Sequence, residues 1–441
     1  MLRLILLSLF IYALVGCSSH SVIQNQPQSS KPAHASYSMI DMLRDRPNGE
    51  LSIIMSFSGG GTRASALAYG VLLELRDTIV RVNGKDRRLL DFVNIISSVS
   101  GGSFTAAYYG LYGDKIFTDF EEKFLRVDVE ARLVHGLFNP TRWLSGKERT
   151  DMAVEYYQEK LFGNATFADM HRKDAPVVLI NASDLSTGSR ISFVQEFFNL
   201  ICSDIGSFSV AKAVTASSAV PLLFNPVVIE NHQGCDTGEF KQILSQVKNK
   251  HADSQVKLAA KDLEKLVSDK AKYRYLHLVD GGITDNLGLR SFFEITELSG
   301  GIKPFMDRIG YRKVSNSVVI VVDASTDTVN NMAERVEEPT FEQVINAMTD
   351  IQLHRYNAST LELMQDSIQR WHAELSSQGW PSKLHFIEVG FKSSFPQQRQ
   401  EYFNQIPTSF KLTNTQVNDL IDAGRESLRN NPVFQRLVQS L

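Results

Sequence analysis

The sequence predicts an α/β fold with a mostly parallel central sheet flanked by helices. Two observations support this prediction: the chain contains several short apolar runs without polar alternation, and small-residue turns with helical patterns separate them. Continuous apolar runs are typical of strands that are buried on both faces, as in parallel sheets. The runs occupy residues 51–57, 92–96, 176–182, 274–279 and 317–322.

Helical patterns follow the first two strands, at residues 64–75 and 104–113. A lysine-rich segment at about 240–272 has amphipathic spacing and no strand pattern, which predicts a helical insertion. A solvated helix packed on the domain is the simpler interpretation of this insertion, and a membrane-surface element is the alternative. We predict a catalytic domain over 46–330 and a mainly helical C-terminal extension over 331–441 that packs on it.

The composition excludes several classes of protein. The 441 residues are 43% hydrophobic and 22% charged, as in ordinary globular proteins and unlike disordered or collagen-like chains. The net charge of −3 provides no basic field for nucleic acid, so we predict no nucleic-acid partner. Three cysteines are too few for a cysteine-rich zinc site. We predict no metal and no cofactor; no EF-hand-like loop occurs, and calcium dependence stays open.

The first residues have the pattern of an export signal. Arg3 precedes an apolar run from Leu4 to Val15, which is too short for a typical membrane-spanning helix. The run ends in Leu-Val-Gly-Cys, which resembles the lipobox of bacterial lipoproteins and implies cleavage after residue 16 and acylation of Cys17. Ser18 is not the aspartate of an inner-membrane retention signal, so we expect an outer-membrane lipoprotein. The alternatives are a plain signal peptide and an uncleaved anchor.

The segment after Cys17 is rich in Ser, Gln and Pro. Such a composition buries too little surface to fold, so residues 17–45 are predicted to be the lipid-anchored cysteine and a flexible tether. In an oxidising compartment, Cys202 and Cys235 either pair or remain as buried thiols, and the sequence does not decide between the two.

The first candidate motif is the loop Ser-Gly-Gly-Gly-Thr-Arg-Ala at residues 58–64, between a strand and a helix. Consecutive glycines let backbone N–H groups approach a ligand closely. At a helix N-terminus, those groups suit an anion or a developing oxyanion. The loop lacks the Gly-Lys-Ser/Thr ending of a phosphate-binding P-loop. A purely structural turn would explain this motif if it stood alone.

The second candidate is the small-residue cluster around Ser100, which also follows a strand and precedes a helix. A nucleophile elbow needs small residues two positions before and after the reactive serine, because the tight turn brings those positions together. Ser98 and Gly102 meet that need. Ser100 is therefore a candidate nucleophile, although such clusters are also common as structural turns.

The third candidate is Asp280, which ends an apolar strand and precedes Gly281 and Gly282. A carboxylate at a strand end can act as a base in a shared pocket. Burial near an acyl channel would raise its pKa towards the range that is useful for proton abstraction. An aspartate that only caps a turn is the alternative.

Together, the three motifs resemble the patatin-like phospholipase family over about residues 51–289. The segment 216–221, followed by Phe224 and Pro226, looks like the loop between serine and aspartate in that family. The resemblance implies an acyl hydrolase with a Ser–Asp dyad and neither histidine nor metal. Phospholipid is the expected substrate because the predicted anchor would hold the site at a membrane surface, and a lysophospholipid or a soluble ester is compatible with the same residues. Ser100 matches the nucleophile and Asp280 the general base. The positions that match the oxyanion-hole loop are Gly59, Gly60, Gly61 and Arg63.

Two departures from the family pattern concern specificity. Ser98 replaces the first glycine of the usual Gly-x-Ser-x-Gly elbow. Ser58 and Ala64 stand where plant patatins have Asp and Gly, so the first loop is closer to that of the calcium-regulated cytosolic phospholipase A domains. These changes keep the dyad and leave acyl-chain and head-group preference open.

Three other functions are compatible with the same residues. A Ser-Asp-His esterase would use His354 or His385, both of which follow Asp280 in the chain. An acyltransferase would pass the acyl group to an alcohol instead of water. A catalytically silent lipoprotein would use the fold for binding only, although the intact Ser100 and Asp280 argue against it.

Overall fold

A computed structural model of the protein describes residues 23, 25–29, 37–46, 51–132, 149–221, 223–249, 253–310, 314–327, 332–334, 336–380 and 382–441. The predicted signal, residues 1–16, and Cys17 lie outside the described residues. Within the described ranges, no helix is long and apolar enough to cross a membrane.

Twelve strands are present among the described residues. In chain order they are β1 Gln26–Pro27, β2 Leu51–Phe57, β3 Ile79–Val82, β4 Lys85–Arg88, β5 Val93–Val99, β6 Val177–Asp184, β7 Arg190–Ser192, β8 Ser203–Asp204, β9 Val227–Glu230, β10 Tyr275–Asp280, β11 Asn316–Asp323 and β12 Lys383–Gly390.

The α-helices of the described ranges mostly connect these strands. They are α1 Met39–Arg44, α2 Gly61–Asp77, α3 Gly101–Tyr112, α4 Ile116–Phe120, α5 Arg149–Tyr157, α6 Phe167–Met170, α7 Gln195–Phe198, α8 Val210–Ser217, α9 Gly238–Asn249, α10 Ser254–Ser268, α11 Gly282–Asp285, α12 Leu289–Leu298, α13 Ile302–Arg308, α14 Phe341–Ser377, α15 Phe391–Ser394, α16 Gln397–Asn404, α17 Asn414–Arg429 and α18 Pro432–Ser440. Short 3₁₀ turns span Leu89–Phe92, Gly113–Lys115 and Met332–Glu334, and π-helical turns span Glu121–Leu125 and Gln158–Phe162.

The central sheet has the strand order β12-β11-β2-β5-β6-β10-β9, with β7 on the end of β6. The first five strands of this order are parallel, and β10 and β7 run antiparallel to β6. Every residue of β6 is buried, as the continuous apolar runs predicted. The prediction of a mostly parallel α/β sheet flanked by helices is confirmed, with an antiparallel edge at β10 and β9.

The C-terminal extension is built into the same sheet. Strand β12 pairs with β11 in parallel over eight residues, from Lys383 to Gly390. Helix α17 packs on α2, the helix that follows the glycine loop. The backbones approach closely because both faces carry glycine: a Cβ at Gly70 would lie 2.1 Å from the carbonyl oxygen of Ile421, and one at Gly424 would lie 2.3 Å from that of Leu67.

The predicted helical insertion consists of helices α9 and α10. Helix α10 buries its apolar stripe, including Val256, Ala260, Leu266 and Val267, against the domain. This arrangement agrees with the simpler interpretation, a solvated amphipathic helix packed on the body of the protein.

The predicted flexible tether over 17–45 is wrong for its described parts. Strand β1 pairs with β8, and the side-chain amide of Asn25 exchanges two hydrogen bonds with the backbone of Glu230, at 2.8 and 2.7 Å. Further on, Tyr37 is fully buried and its hydroxyl accepts from the N–H of Val178 at 2.8 Å. Side-chain hydrogen bonds to distant residues hold segments whose local composition predicts disorder.

Cys202 and Cys235 form a disulfide, which settles the choice that the sequence left open. The bond lies beside the ordered N-terminal segment, because the N–H of Gln28 donates to the carbonyl of Cys202 at 2.8 Å.

Candidate active site

The predicted motifs meet at the carboxyl edge of the sheet. The glycine loop follows β2 and Ser100 follows β5, which are neighbouring parallel strands. Strand β10 runs in the opposite direction and ends at Asp280, which lies opposite Ala182 of β6. Because Val99 pairs with Asn181, the ends of β5 and β10 reach the same level of the sheet.

Ser100 has the backbone conformation of a strained elbow, with φ 49° and ψ −121°. A positive φ is unfavourable for residues other than glycine, so Ser100 keeps this conformation only because the surrounding packing holds it. A Cβ at Gly101 would lie 2.0 Å from the carbonyl oxygen of Gly61, and one at Gly102 would lie 2.7 Å from Cβ of Phe57. Ser98 is buried, with its hydroxyl donating to the carbonyl of Leu179 at 3.2 Å. Small residues are therefore required around the elbow.

The hydroxyl of Ser100 donates to Oδ2 of Asp280 at 2.7 Å. The other carboxylate oxygen, Oδ1, accepts from the N–H of Gly282 at 2.8 Å. Both side chains are nearly covered, with 6% of Ser100 and 9% of Asp280 exposed. Burial raises the pKa of Asp280 to about 6, although the hydrogen bonds from Ser100 and Gly282 lower it. The carboxylate is thus ionised at neutral pH and more basic than an ordinary aspartate.

Ser217 links the two halves of this pair. Its hydroxyl accepts from the N–H of Ser100 at 2.9 Å and donates to the carbonyl of Asn181 at 2.6 Å. Its own carbonyl accepts from the N–H of Gly281 at 3.1 Å. Ser217 lies in the family-like segment 216–221, and the sequence predicted no role for it. The structure shows a positioning residue that spans the elbow, β6 and the loop after Asp280.

The glycine loop leaves two amides beside the elbow. The N–H of Gly59 donates to the carbonyl of Asn286 at 2.9 Å, so it is not available for a ligand. Among the described residues, the amides of Gly60 and Gly61 have no hydrogen-bond acceptor. Both glycines have positive φ, 135° and 61°, and Gly61 opens helix α2. These two N–H groups lie at the positive end of the helix dipole.

Arg63 lies in the predicted oxyanion-hole motif, but its side chain points elsewhere. The guanidinium donates to the carbonyls of Ala324 and Ile406, at 3.0 and 2.6 Å, and to the hydroxyl of Thr408 at 2.8 Å. Burial lowers its pKa to about 10, while Asp323 and Asp350 oppose the change. The placement of Arg63 in the oxyanion hole is corrected: this side chain ties the glycine loop to the C-terminal extension.

The histidines of the alternative mechanism are not in the dyad. Among the described residues, neither His354 nor His385 is hydrogen-bonded to Ser100 or Asp280. His385 lies on β12, three strands from β5, and pairs with Val318 of β11. Val322 is level with Phe57 and Ser98, so Ser100 lies six residue positions further along the sheet than His385. At about 3.3 Å per residue and about 4.8 Å per strand, the two residues are roughly 24 Å apart.

Within the part of the chain that the structure describes, no group of three or more His, Cys, Asp or Glu side chains is placed to hold a metal ion.

The family model described as "Patatin-like phospholipase" matches residues 55–293, which is more than half of the chain. The chain therefore belongs to the patatin-like phospholipase family, as the three motifs predicted. A comparison with curated proteins finds no match.

Solved structures similar to this chain include human GIVD cytosolic phospholipase A2 in complex with methyl γ-linolenyl fluorophosphonate. The identity is 12% and the TM-score 0.37, over 92% of this chain and 62% of that one. The same human enzyme in another structure gives 14% identity and a TM-score of 0.32, over 69% of this chain and 52% of that one. VipD from Legionella pneumophila gives 12% and 0.32, over 98% and 73%. The chain thus spans between half and two thirds of the human enzyme.

Proposed function

We propose that the protein is a serine carboxylic-ester hydrolase that removes an acyl chain from a phospholipid or lysophospholipid through the dyad Ser100–Asp280. The main support for this proposal is the 2.7 Å hydrogen bond from Ser100, which lies on a strained elbow, to the carboxylate of Asp280. The raised pKa of Asp280, which stays below neutral pH, supports its role as the base.

The proposed reaction has two steps. Asp280 takes the hydroxyl proton while Oγ of Ser100 attacks the ester carbonyl, and the proton then passes to the departing alcohol oxygen. The resulting acyl-enzyme is attacked by water, which gives a proton to Asp280. Asp280 then returns this proton to Oγ of Ser100 as the bond between Oγ and the acyl carbon breaks, and the fatty acid and the free serine are released. We assign the amides of Gly60 and Gly61 as donors to the oxyanion, because both lack an acceptor among the described residues and lie beside the elbow. Each such donor typically contributes about 10²–10³ in rate.

We also propose that the protein acts as an outer-membrane lipoprotein acylated at Cys17. This proposal rests on the lipobox-like end of the leader and on Ser18 at the following position. An anchor of this kind would hold the enzyme next to phospholipid, which supports a membrane lipid over a soluble ester as the substrate.

The test compares Asp280→Asn with His385→Ala in the full chain, with phosphatidylglycerol vesicles as substrate. The dyad predicts a loss of about 10²–10⁴ in kcat/KM for Asp280→Asn, because the general base is removed. It predicts a change of at most about twofold for His385→Ala, whose side chain is remote from the site. A loss of similar size in both variants would contradict the dyad mechanism. Circular dichroism of each variant verifies that it is folded.

A further inference from the structure

Large apolar side chains are exposed around the dyad. Leu223 follows the segment whose Ala219 carbonyl accepts from the N–H of Asp280, and its side chain is 61% exposed. Ile283, three residues after Asp280, is 52% exposed. Exposed side chains of this size are costly in water, and a group of them marks a surface that contacts a partner.

Helix α14 adds a second set of exposed apolar side chains. Its 37 residues extend about 55 Å, whereas the eight residues of β11 extend only about 26 Å. Asn357 donates to the hydroxyl of Ser325 at 2.7 Å, just beyond the end of β11, so this point of the helix lies at the carboxyl edge. Of the described side chains that precede Asn357 in the helix, none is buried. About 24 Å of α14 therefore projects past the sheet on the dyad's side.

The projecting part of α14 carries an apolar stripe. Val344, Met348 and Ile351 have the i, i+4, i+7 spacing of one helix face, and all three are exposed, Met348 by 59%. We use the name apolar rim for the side chains on this edge of the molecule: Val220, Leu223, Ile283, Val344, Met348 and Ile351.

Residues 25–29, which are bound to the sheet, limit which side of the molecule an anchor at Cys17 can reach. Asn25 is bound to Glu230, which pairs with Tyr275 at the outer end of β10. Tyr275 lies three residue positions beyond Asp184, the last residue of β6, and Val177 at the amino edge lies seven positions before it. The distance from Tyr275 to the amino edge, measured along the strands, is therefore ten residue steps, or about 33 Å. The eight residue steps from Cys17 to Asn25 span at most about 29 Å.

This geometry favours one orientation. Asn25 lies beyond the carboxyl edge, on the same side as the dyad, so a bilayer holding Cys17 can lie against the apolar rim. The amino edge is out of reach even for a straight chain. We propose that the apolar rim docks on the phospholipid bilayer and holds the Ser100 elbow at the lipid surface. This inference rests on the proposed function and names the surface that delivers its substrate.

The first experiment measures contact directly in the full chain. Cys17→Ser leaves Cys202 and Cys235 as the remaining cysteines, and their disulfide does not react with a thiol label. Ser100→Ala prevents hydrolysis. An environment-sensitive fluorophore is then placed through Met348→Cys or, as a matched control, through Ile79→Cys. Ile79 is also apolar and 55% exposed, but it lies in the β3–β4 hairpin at the end of α2, away from the dyad.

With vesicles of phosphatidylethanolamine and phosphatidylglycerol that carry brominated acyl chains, the label at residue 348 should be quenched at least about threefold more strongly than the label at residue 79. Equal quenching at both sites, or stronger quenching at residue 79, would overturn the docking surface. This result does not depend on catalysis, so it stands whether or not the proposed hydrolysis is found.

A second experiment uses the double variant Met348→Asp/Ile351→Asp. Charges on the stripe should lower the ratio of the rate on vesicles to the rate on a soluble ester by about tenfold. An unchanged ratio would overturn the proposal. Absence of hydrolysis of both substrates by the wild type would instead count against the proposed function, while the quenching experiment would still decide the docking surface.

Discussion

Replacing Asp280 by asparagine is expected to lower kcat/KM by about 10²–10⁴ and, at neutral pH, to stabilise the folded protein. The carboxylate is buried and lacks a cationic partner among the groups that shift its pKa. Asparagine keeps the shape and the contacts, because its oxygen can accept from the N–H of Gly282 and its amide can donate to the hydroxyl of Ser100. The variant removes the unfavourable burial of a charge.

The magnitude follows from the pKa of Asp280, which is about 6 in the folded protein against an ordinary value of 3.8. Between these values the folded state binds more protons than the unfolded state, so the stability of the wild type falls as the pH rises from about 4 to about 6. A difference of about two pH units corresponds to about 3 kcal/mol. The free energy of unfolding of Asp280→Asn, taken relative to that of the wild type, should therefore rise by about 3 kcal/mol from pH 4 to pH 8.

Guanidinium unfolding of both proteins at pH 4 and pH 8 measures this change in the free energy of unfolding. Asp184→Asn is the matched control, since Asp184 is also a buried aspartate at a strand end. Its carboxylate accepts from the N–H and hydroxyl of Thr187 and from the N–H of His277, so its replacement should destabilise the protein by about 1–3 kcal/mol. The reasoning is refuted if the difference between Asp280→Asn and the wild type is the same at both pH values.

Three further predictions concern the same edge of the sheet. The kcat/KM of the wild type should rise about tenfold per pH unit up to about pH 6 and then level off, because Asp280 must be ionised; a flat profile from pH 4 to 7 would contradict this. Ser217→Ala should cost about 1–3 kcal/mol of stability by leaving the elbow amide without an acceptor, whereas Ser218→Ala, which loses only a bond within its own helix, should cost less in the same melting assay. Gly102→Ala should prevent accumulation of folded protein because its Cβ meets Phe57 at 2.7 Å; near-normal folding would show that the elbow can relax.

Local patterns predicted the parts of the fold that depend on local physics. The continuous apolar runs identified the buried strands, and the small residues around Ser100 identified the elbow, because both follow from neighbours in sequence. The direction of β10 was not predictable in the same way. It is set by pairing with β6, about a hundred residues earlier, and that pairing is what carries Asp280 to Ser100.

The errors and omissions all involve polar side chains with distant partners. Asn25 orders a segment of disorder-like composition only because Glu230 is available, 205 positions away. Arg63 donates to Ala324 and, in the extension, to Ile406 and Thr408. Ser217 accepts from an amide 117 positions earlier. Nothing in the local sequence records such contacts, since they depend on the assembled sheet.

Labelling with a fluorescent fluorophosphonate shows whether Ser100 is an activated nucleophile. The full chain in detergent is treated with the probe beside Ser100→Ala, and the modified peptide is located by mass spectrometry. The dyad predicts that Ser100 of the wild type is labelled and that labelling is lost in the variant. Equal labelling of both proteins would place the nucleophile elsewhere, and no labelling of folded wild type, with or without lipid vesicles, would contradict an activated serine.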